Sequence, residues 1–457
     1  MVFNRFYDIL AHWAESTPAA PALKYERDGA VRTMSYAHLY AAVGEEAART
    51  SASACEGFLI SALEPETLIR FFGAVLAGRQ TVLLDAATPV PVLRGQLPYT
   101  DADSLTGDSA LVTELTGNLC QPKVPPHTGR ILFFTSGTTA RSRAVVLTEA
   151  SLCASARQGC ALLPLKQEDT LLCVLPVHHA FGFVCGLLWG LYCGACVALG
   201  RGALHRGEDF ALFRPTAVSV VPPLLETLLK RRQLNAELRL LLVGGGDCAR
   251  TLLDAARSLG MTVSFGHGLT ETGSGVALSL EEDYYAMTVC PGCRVALAQD
   301  GEILIEARES MFQGYYKSAS DTAAVLRGGV LRTGDLGALD AEGRLTVRGR
   351  KKEILVLSDG TKIVLPEYER ELGWALGTRD LAVVLRHSVP ALVLPQADGD
   401  VVAIWEMLDS VMETLPRSHR IREILFLGAP FPRTSTGKLR RWALEQQVRA
   451  LPAASST

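Results

Sequence analysis

A short apolar run in the sequence ends in a loop whose residues could bind phosphate groups. Residues 131–148 read ILFFTSGTTARSRAVVLT, so two apolar segments flank Thr, Ser, Gly and two arginines. Hydroxyls and free backbone N–H groups at such a turn, together with fixed positive charge, suit a polyphosphate. A solvated Ser/Thr turn is the alternative for this segment taken alone. The pattern GxxxxGK[ST] is absent from the sequence, which argues against a standard P-loop nucleotidase.

A second glycine-rich turn, at 244–249, offers a competing nucleotide site. The segment LRLLLVGGGDCARTLL reads as a strand, a GxGxxA turn and a helix, which is the order found in dinucleotide-binding folds. In those folds the next strand ends near an Asp or Glu that binds the ribose hydroxyls. Here that strand, MTVSFG, ends in Gly266-His267. The missing acid disfavours an NAD-type oxidoreductase.

The cysteines raise the question of a zinc site. Eleven are present, and two CxxC pairs occur among them, Cys193/Cys196 and Cys290/Cys293. Four thiolates at such spacings can bind Zn²⁺. The first pair lies inside an apolar run, however, and neither is flanked by the polar, loop-rich sequence typical of zinc sites. We therefore expect buried, reduced cysteines rather than a metal centre.

The alternation of helical segments with apolar strand segments predicts the elements that position these residues. At 457 residues the chain is too long for one compact core, so at least two domains are expected. From about residue 18 to 260, helices alternate with short apolar strands, which predicts a parallel sheet covered by helices. After about Cys290 short strands and turns indicate a β-rich subdomain. The last hundred residues predict a compact α+β domain.

Composition excludes some classes of partner. The formal net charge is −3 with 20% charged residues and no long run of one sign, so nucleic-acid binding is not expected. The first seventeen residues lack the features of a signal peptide and predict an amphipathic helix, which favours a cytoplasmic protein. Residues 181–199 carry no charge and are long enough to span a membrane. Their glycines and strand-forming residues favour a buried helix that runs into a buried strand.

The motifs resemble, in their order along the chain, those of the adenylate-forming superfamily of acyl-CoA synthetases, adenylation domains and luciferases. The resemblance extends from about residue 130 to 441, and its specificity comes from the ordered set rather than from any one motif. The matching segments are TSGTTARSRAV (135–145), LPVHHAFG (175–182), GGGD (244–247), HGLTETG (267–273), RTGDLG (332–337), GRLTVRGRKKEIL (343–355) and PRTSTGKLRR (432–441).

The resemblance implies an enzyme that uses ATP to activate a carboxylic acid as acyl-AMP, releases pyrophosphate and transfers the acyl group to a thiol. The implied catalytic residues are Lys438, which contacts the α-phosphate and the carboxylate, and Thr270, which reaches the α-phosphate. Glu271 is implied to hold Mg²⁺, and His179 to lie near the carboxylate at the mouth of the acid pocket. Negative charge at pentavalent phosphorus needs such cations and donors.

Further residues are implied to bind the nucleotide. Asp335 would accept hydrogen bonds from the ribose hydroxyls with the help of Arg350, and His267 stands where an aromatic ring usually stacks on adenine. The other implied nucleotide-binding residues are Thr135, Ser136, Gly137, Thr138, Thr139, Arg143, Gly244, Gly245, Gly246 and Gly268. The phosphate loop departs from the usual TSGTTGxPKGV pattern through Ala140, Ser142, Arg143 and Ala144, and Glu149 replaces a common histidine.

The resemblance also implies two domains and a hinge. We expect an adenylating domain at 1–350 and a mobile C-terminal domain at 351–457 that carries the catalytic lysine. The hinge maps to Lys352, because polar, exposed positions can absorb the backbone change that a rotation between the half-reactions requires.

The sequence says less about which carboxylic acid is activated and which thiol accepts the acyl group. The run RKKEILVLSDGTKIVLPEYE resembles a form found in fatty-acid and acyl-carrier-protein synthetases, which favours an aliphatic acyl chain. The pocket is expected between the His179 segment, the glycine turn and the stretch after Gly268. CoA is the expected thiol. Loading of a carrier-protein phosphopantetheine and a non-catalytic nucleotide-binding relative are the alternatives.

Overall fold

The computed structural model describes residues 1–49, 54–120, 129–135, 143–357, 362–387, 389–433 and 439–451. The α-helices of the described residues are α1 (Phe6–Ser16), α2 (Tyr36–Arg49), α3 (Pro65–Leu76), α4 (Val90–Thr100), α5 (Ser109–Leu115), α6 (Glu149–Leu162), α7 (Ala180–Phe183), α8 (Trp189–Tyr192), α9 (Glu208–Phe213), α10 (Pro222–Lys230), α11 (Arg250–Arg257), α12 (Ala319–Val325), α13 (Leu365–Leu376), α14 (Val401–Thr414) and α15 (Arg441–Ala450). Short 3₁₀ turns occur at Thr116–Asn118, Thr270–Thr272 and Lys351–Glu353, and a π-helical turn at Val184–Leu188 joins α7 to α8.

The strands of the same residues are β1 (Pro21–Arg27), β2 (Ala30–Ser35), β3 (Cys55–Ile60), β4 (Gln80–Asp85), β5 (Ser104–Thr106), β6 (Arg130–Phe134), β7 (Ala144–Thr148), β8 (Thr170–Cys173), β9 (Cys196–Leu199), β10 (Ala217–Val220), β11 (Leu240–Val243), β12 (Thr262–His267), β13 (Ala277–Leu278), β14 (Thr288–Val289), β15 (Arg294–Leu297), β16 (Glu302–Glu306), β17 (Gly314–Tyr315), β18 (Leu326–Arg327), β19 (Val330–Leu339), β20 (Leu345–Arg350), β21 (Ile354–Val356), β22 (Lys362–Val364), β23 (Ala382–Arg386), β24 (Val389–Leu394) and β25 (Glu423–Phe426).

Two sheets with mainly parallel central strands form the large part of the molecule. One has the order β14-β13-β12-β11-β10-β8-β9-β1-β2, and the strands from β12 to β1 in that order are parallel to their neighbours. The other has the order β17-β7-β6-β4-β3-β5 and is parallel from β6 to β5. Their short apolar strands are buried on both faces, which explains why no in–out alternation is found in the sequence.

The uncharged segment 181–199 belongs to the buried core of this large part and ends as a strand of the first sheet. It forms α7, the π-helical turn, α8 and then β9, and its residues are largely buried. The ring of Phe183 contacts Phe6, Phe71 and Phe133, with centroid distances of 5.7, 5.6 and 5.6 Å. The predicted buried helix followed by a buried strand is therefore observed. Within the described residues we find no helix with the length and apolarity needed to cross a bilayer.

The β-rich subdomain and the C-terminal part match the predicted order of elements. Strands β15, β16, β18, β19 and β20 make an antiparallel sheet, and β23, β24 and β25 make a three-stranded sheet with α13, α14 and α15 around it. The buried hydrophobic clusters of the described residues separate along the chain, since three use residues up to Leu345 and two use residues from Leu357 onward. The α/β architecture with a smaller α+β C-terminal part is confirmed.

Candidate functional site

A cavity of about 1090 Å³ opens at the carboxyl ends of the parallel strands β8 to β12. Segments that follow these strands line it, and so do the ends of the β6–β7 hairpin, parts of β19 and β20, and the start of α15. Ligands of open α/β sheets bind at the carboxyl edge, because the loops there are free to vary while the strands fix their positions. The fold thus gathers motifs from residue 135 to residue 445 around one space.

The predicted phosphate loop is held by an antiparallel hairpin. Strands β6 and β7 pair from Arg130↔Thr148 to Phe134↔Ala144. The N–H of Thr135 donates to the carbonyl of Arg143 at 2.9 Å and closes the base of the loop. Thr135 and Arg143 both line the cavity. The predicted residues Ser136, Gly137, Thr138 and Thr139 lie outside the described residues, as do the departures Ala140 and Ser142.

Arg143 belongs to a chain of contacts that leads to Glu271. Its Nη2 lies 3.1 Å from Oδ1 of Asp321 in α12, and its guanidinium lies 5.0 Å from the centroid of the Tyr315 ring. The hydroxyl of Tyr315 donates to Oε1 of Glu271 at 2.7 Å. Burial and the neighbouring Glu271 raise the pKa of Tyr315 well above its usual value, so this phenol remains a neutral donor at ordinary pH. The substituted cation of the loop is thus linked to the predicted metal ligand through Tyr315, which sequence reasoning did not identify.

Thr270 and Glu271 lie on the 3₁₀ turn after β12, and both line the cavity. The turn depends on Gly268, because a Cβ at that position would lie 1.4 Å from the carbonyl oxygen of Ser274. His267, the last residue of β12, lines the cavity, and its Nε2 lies 3.7 Å from Oδ2 of Asp335. The close crossing of two backbone segments explains why glycine is found in the middle of this motif.

Asp335 lies beneath the cavity surface rather than on it. Strands β19 and β20 place it opposite Arg350, whose Nε lies 2.9 Å from its Oδ1. The carboxylate is 2% exposed and is not among the residues that line the cavity, whereas Arg350 is. The predicted ribose ligand is therefore enclosed by Arg350 and His267, and a nucleotide reaches its oxygens only where these two side chains leave room.

The glycine turn after β11 faces the ring of Phe181. A Cβ at Gly244 would lie 3.1 Å from the Phe181 ring, and one at Gly245, whose φ is +81°, would lie 3.2 Å from Val221. Gly244, Gly245 and Phe181 line the cavity, whereas the predicted Gly246 is exposed outside it. Glycines here allow an aromatic ring to lie flat against the backbone, which shapes an apolar pocket beside the nucleotide region.

Two adjacent histidines follow β8. Their ring centroids are 4.4 Å apart, and burial lowers the pKa of both, that of His178 to about 3. Oδ2 of Asp85 lies 3.7 Å from Nε2 of His178, and its charge opposes the lowering of the pKa of His179, but burial outweighs this effect. His179 lines the cavity and its buried Nε2 has no hydrogen-bond partner among the described residues. His179 is thus presented as a neutral ring to the cavity.

Glu302 is a second residue that sequence reasoning missed. It is 4% exposed and lines the cavity, where it accepts hydrogen bonds from Gly334 N–H at 3.0 Å, Arg332 at 2.5 Å and Lys351 at 2.7 Å. It thereby ties the turn before Asp335 to the residue that precedes the predicted hinge. The strand segment GEILIE gives no sign of this role, because the partners come from β19 and from the 3₁₀ turn at Lys351–Glu353.

The C-terminal part reaches the cavity through the first turns of α15. Arg441, Trp442 and Glu445 line it, and Arg441 bonds Glu369 through Nη2 at 2.6 Å. Lys438, the predicted catalytic residue, lies three positions before Arg441 and outside the described residues. The backbone of Lys352, the predicted hinge, lies in the 3₁₀ turn between β20 and β21.

Glu149 has a structural partner away from the cavity, and the cysteines do not form a metal centre within the described residues. Oε1 of Glu149 accepts the N–H of Phe6 at 2.9 Å, so this carboxylate satisfies a free donor at the start of α1. The described residues contain no group of three or more His, Cys, Asp or Glu placed to bind a metal ion, and the cysteines among them are free. The two CxxC pairs therefore do not converge on a four-ligand zinc site.

Comparisons with known proteins agree with this geometry. The family described as AMP-binding enzyme matches residues 91–316. The 2-succinylbenzoate–CoA ligase of Listeria monocytogenes is 28% identical over 334 residues, covering 69% of each chain. The indoleacetate–CoA ligase of Aromatoleum aromaticum is 29% identical over 355 residues, covering 72% of this chain and 69% of that protein. The long-chain-fatty-acid–CoA ligase FadD15 of Mycobacterium bovis is 28% identical over 360 residues, covering 64% and 59%.

Solved structures share the fold over nearly the whole chain. O-succinylbenzoate CoA synthetase (MenE) from Bacillus subtilis in complex with AMP has a TM-score of 0.82 at 23% identity, covering 96% of this chain and 98% of that one. The likeness includes both the large part and the C-terminal part. The ordered motifs, their convergence on one cavity and these comparisons lead to one conclusion: residues 91–316 are an AMP-binding enzyme family domain, and the chain is similar over most of its length to CoA ligases of the adenylate-forming superfamily.

Proposed function

We propose that this protein is an AMP-forming acid–CoA ligase, which activates a carboxylic acid with ATP and transfers the acyl group to CoA. One observation carries the proposal. A single cavity contains the ends of the phosphate-loop hairpin, the Thr270–Glu271 turn, His179 and an apolar pocket beside the glycine turn. A site for polyphosphate and a site for an organic acid that share one space suit a reaction between the two.

In the first half-reaction a carboxylate oxygen attacks the α-phosphorus of ATP. An oxygen–phosphorus bond forms, the bond from the α-phosphorus to the bridging oxygen breaks, and pyrophosphate leaves with the electron pair. In this reaction Thr270 would donate to the α-phosphate and neutral His179 would orient the acid without adding charge to the pocket. The location of both residues at the cavity wall supports these roles. The resemblance assigns to Lys438 the positive charge that neutralises the transition state.

Glu271 fits the magnesium ligand that the family implies. A carboxylate beside a polyphosphate repels it unless a divalent cation lies between them, and Tyr315 holds this carboxylate at the cavity wall. A bound Mg²⁺ supplies charge neutralisation and alignment of the phosphate oxygens. A single protein carboxylate is sufficient, because Mg²⁺ in such sites keeps several waters and takes other ligands from the phosphates.

In the second half-reaction the thiolate of CoA attacks the acyl carbon, a thioester forms and AMP leaves. We propose that the part after residue 350 turns about Lys352 between the half-reactions, so that α15 moves away from the cavity. Residues 1–350 and 351–457 then act as two domains. The separation of the buried clusters on either side of residue 350 supports this division, since few core contacts would be lost in a rotation.

Two classes of carboxylic acid, aliphatic acids and aryl acids, are candidate substrates. An aliphatic chain was expected from the sequence, whereas two of the relatives named above are ligases of aryl acids and one of long-chain fatty acids. The apolar walls formed by Phe181, Val221 and Leu224 accept either kind. Aliphatic and aryl acids therefore both have to be tested as substrates.

ATP–pyrophosphate exchange over aliphatic and aryl acids, followed by addition of CoA or a carrier protein with the best acid, tests the proposal. We expect exchange that depends on the acid and on Mg²⁺, and an acyl-CoA product. Exchange in the absence of any acid, or no exchange with any acid, would refute the activity. If the acyl group is transferred to a carrier protein and not to CoA, the carrier protein is the acceptor.

A further inference from the structure

Arg206 is one of the arginines that line the cavity. Arg206 belongs to the segment between β9 and α9, which lines the cavity opposite α10. Its Nε is buried and has no hydrogen-bond partner among the described residues. A guanidinium N–H that loses water without gaining an acceptor costs free energy, so the position of this Nε requires an explanation.

The α10 residues that line the cavity with Arg206 are mainly apolar. They include Leu224 and Leu228, with Thr227 as a polar member. Burial lowers the pKa of Arg206 from its ordinary value, and the group remains a cation at any assay pH. The protein thus keeps a fixed positive charge in a partly desolvated place.

The acidic side chains nearest in sequence have other partners. Oε2 of Glu208 lies 3.0 Å from Nδ1 of His205 and 3.2 Å from Nη2 of Arg201. Oδ1 of Asp209 bonds Nε of Arg201 at 2.6 Å. These carboxylates thus contact Arg201 and His205, and among the described residues neither of them pairs with Arg206.

Two more donors line the same end of the cavity. The amide of Gln233 lies against the backbone of Gly207, since a Cβ there would lie 2.2 Å from its atoms, and Arg231 is exposed at the rim. Arginine suits a carboxylate, because its planar donors can form two parallel hydrogen bonds. An amide beside it can donate to the same group.

We propose that the acid substrate carries a second anionic group at its far end, a carboxylate in the first instance, and that Arg206 binds it. The inference rests on the proposed function and narrows its substrate class. The nucleotide does not need Arg206, because the phosphate region of the cavity is formed by Thr135, Arg143 and Thr270. The acid would then be held at both ends, with the activated carboxylate near His179.

Matched pairs of acids test this. Exchange is measured with straight-chain and arylalkanoic acids of equal length, each with and without a terminal carboxylate. In each pair whose length suits the pocket, we expect the diacid to be the better substrate. Arg206→Gln should lower kcat/KM for that diacid about tenfold or more and leave the monoacid within about twofold. Arg206→Lys should keep part of the preference, and Arg232→Gln, on an exposed residue outside the cavity, should change neither.

The outcomes separate this inference from the proposed function. Exchange in which Arg206→Gln affects monoacids and diacids equally, or raises the KM for ATP or CoA, would overturn the role of Arg206 and leave the ligase activity intact. A wild-type enzyme that prefers monoacids at every chain length would also overturn the role of Arg206 and leave the ligase activity intact. No exchange with any acid would instead refute the ligase itself. Melting temperatures of both Arg206 variants exclude loss of folding as the cause.

Discussion

At the scale of single residues, the cavity is organised by contacts between motifs that are far apart in the sequence. Tyr315 lies between Arg143 and Glu271 and touches both, with its ring on one side and its hydroxyl on the other. Arg143 is also paired with Asp321, so the cation that replaces the usual loop lysine is held in place by two partners. Fixed charges and dipoles of this kind need no reorganisation when a polyphosphate binds.

Tyr315→Phe is expected to weaken the binding of MgATP. The variant removes the donor to Glu271 and leaves the ring under Arg143, so only the hydrogen bond to a charged group is lost, which contributes about 1.5–3 kcal/mol. We expect the KM for MgATP to rise about tenfold and the KM for the acid to change little. Tyr285→Phe is the matched control, since Tyr285 donates to the carbonyl of Cys248 and does not line the cavity. Equal effects of both variants on MgATP would contradict the role of Tyr315.

Burial of His178 predicts a loss of stability in acid. Its pKa is lowered to about 3 in the folded chain, whereas an unfolded histidine titrates near 6.5, so the unfolded state takes up the proton first. Stability is therefore lost as pH falls below about 6.5, by about 2 kcal/mol between pH 7 and 5 from this residue alone. Denaturant unfolding at both pH values measures it. His178→Asn should reduce the difference, exposed His38→Asn should not, and an unchanged difference in the first variant would refute the prediction.

At the scale of elements, the sequence was most informative where local pattern and chemistry coincide. The segments TVLLD, TAVSVV and MTVSFG are found in β4, β10 and β12, and the motif at 267–273 begins at the end of β12. Apolar runs bounded by turn residues specify such strands without tertiary information. The motif at 267–273 likewise brings His267, Thr270 and Glu271 to the cavity wall.

The remaining site residues depend on packing that no local pattern contains. Glu302 lies in an ordinary strand segment and gains its role from Arg332, Gly334 and Lys351 across the sheet. Asp335 is recognisable from its motif, but its enclosure by Arg350 and His267 is a property of three strands together. The π-helical turn at 184–188, which brings Cys185 to the cavity, has one extra residue per turn and no sequence signature.

Gly268→Ala tests the turn that presents Thr270 and Glu271. The added methyl group would collide with the carbonyl of Ser274, and a backbone atom cannot move aside as a flexible side chain can. We expect the free energy of unfolding to fall by about 3 kcal/mol or more and ATP–pyrophosphate exchange to be lost. Gly275→Ala is the control in the same loop, since a Cβ there meets nothing within 4 Å. Normal exchange in the Gly268 variant would show that the turn tolerates a shift.

At the scale of the whole molecule, the C-terminal part covers the cavity through a small set of polar contacts. Arg370 Nη1 lies 3.5 Å from Oδ2 of Asp247, and Arg379 Nη1 lies 4.0 Å from Oε2 of Glu226. Partly exposed ion pairs of this kind contribute little each, so they can break and re-form at low cost. Such an interface is compatible with the proposed rotation, in which the C-terminal part leaves the cavity before CoA enters.

Lys438→Ala tests whether the two half-reactions use different faces of the C-terminal part. If this lysine neutralises charge only during adenylation, exchange should fall by about a thousandfold, whereas transfer to CoA from a supplied acyl-adenylate should stay within a few-fold of wild type. Lys166→Ala, at an exposed position that does not line the cavity, should alter neither step. Because acyl-adenylate already contains the bond that Lys438 helps to form, equal loss of both steps could arise only if the lysine acts in the second reaction too. That result would remove the reason for a rotation about Lys352.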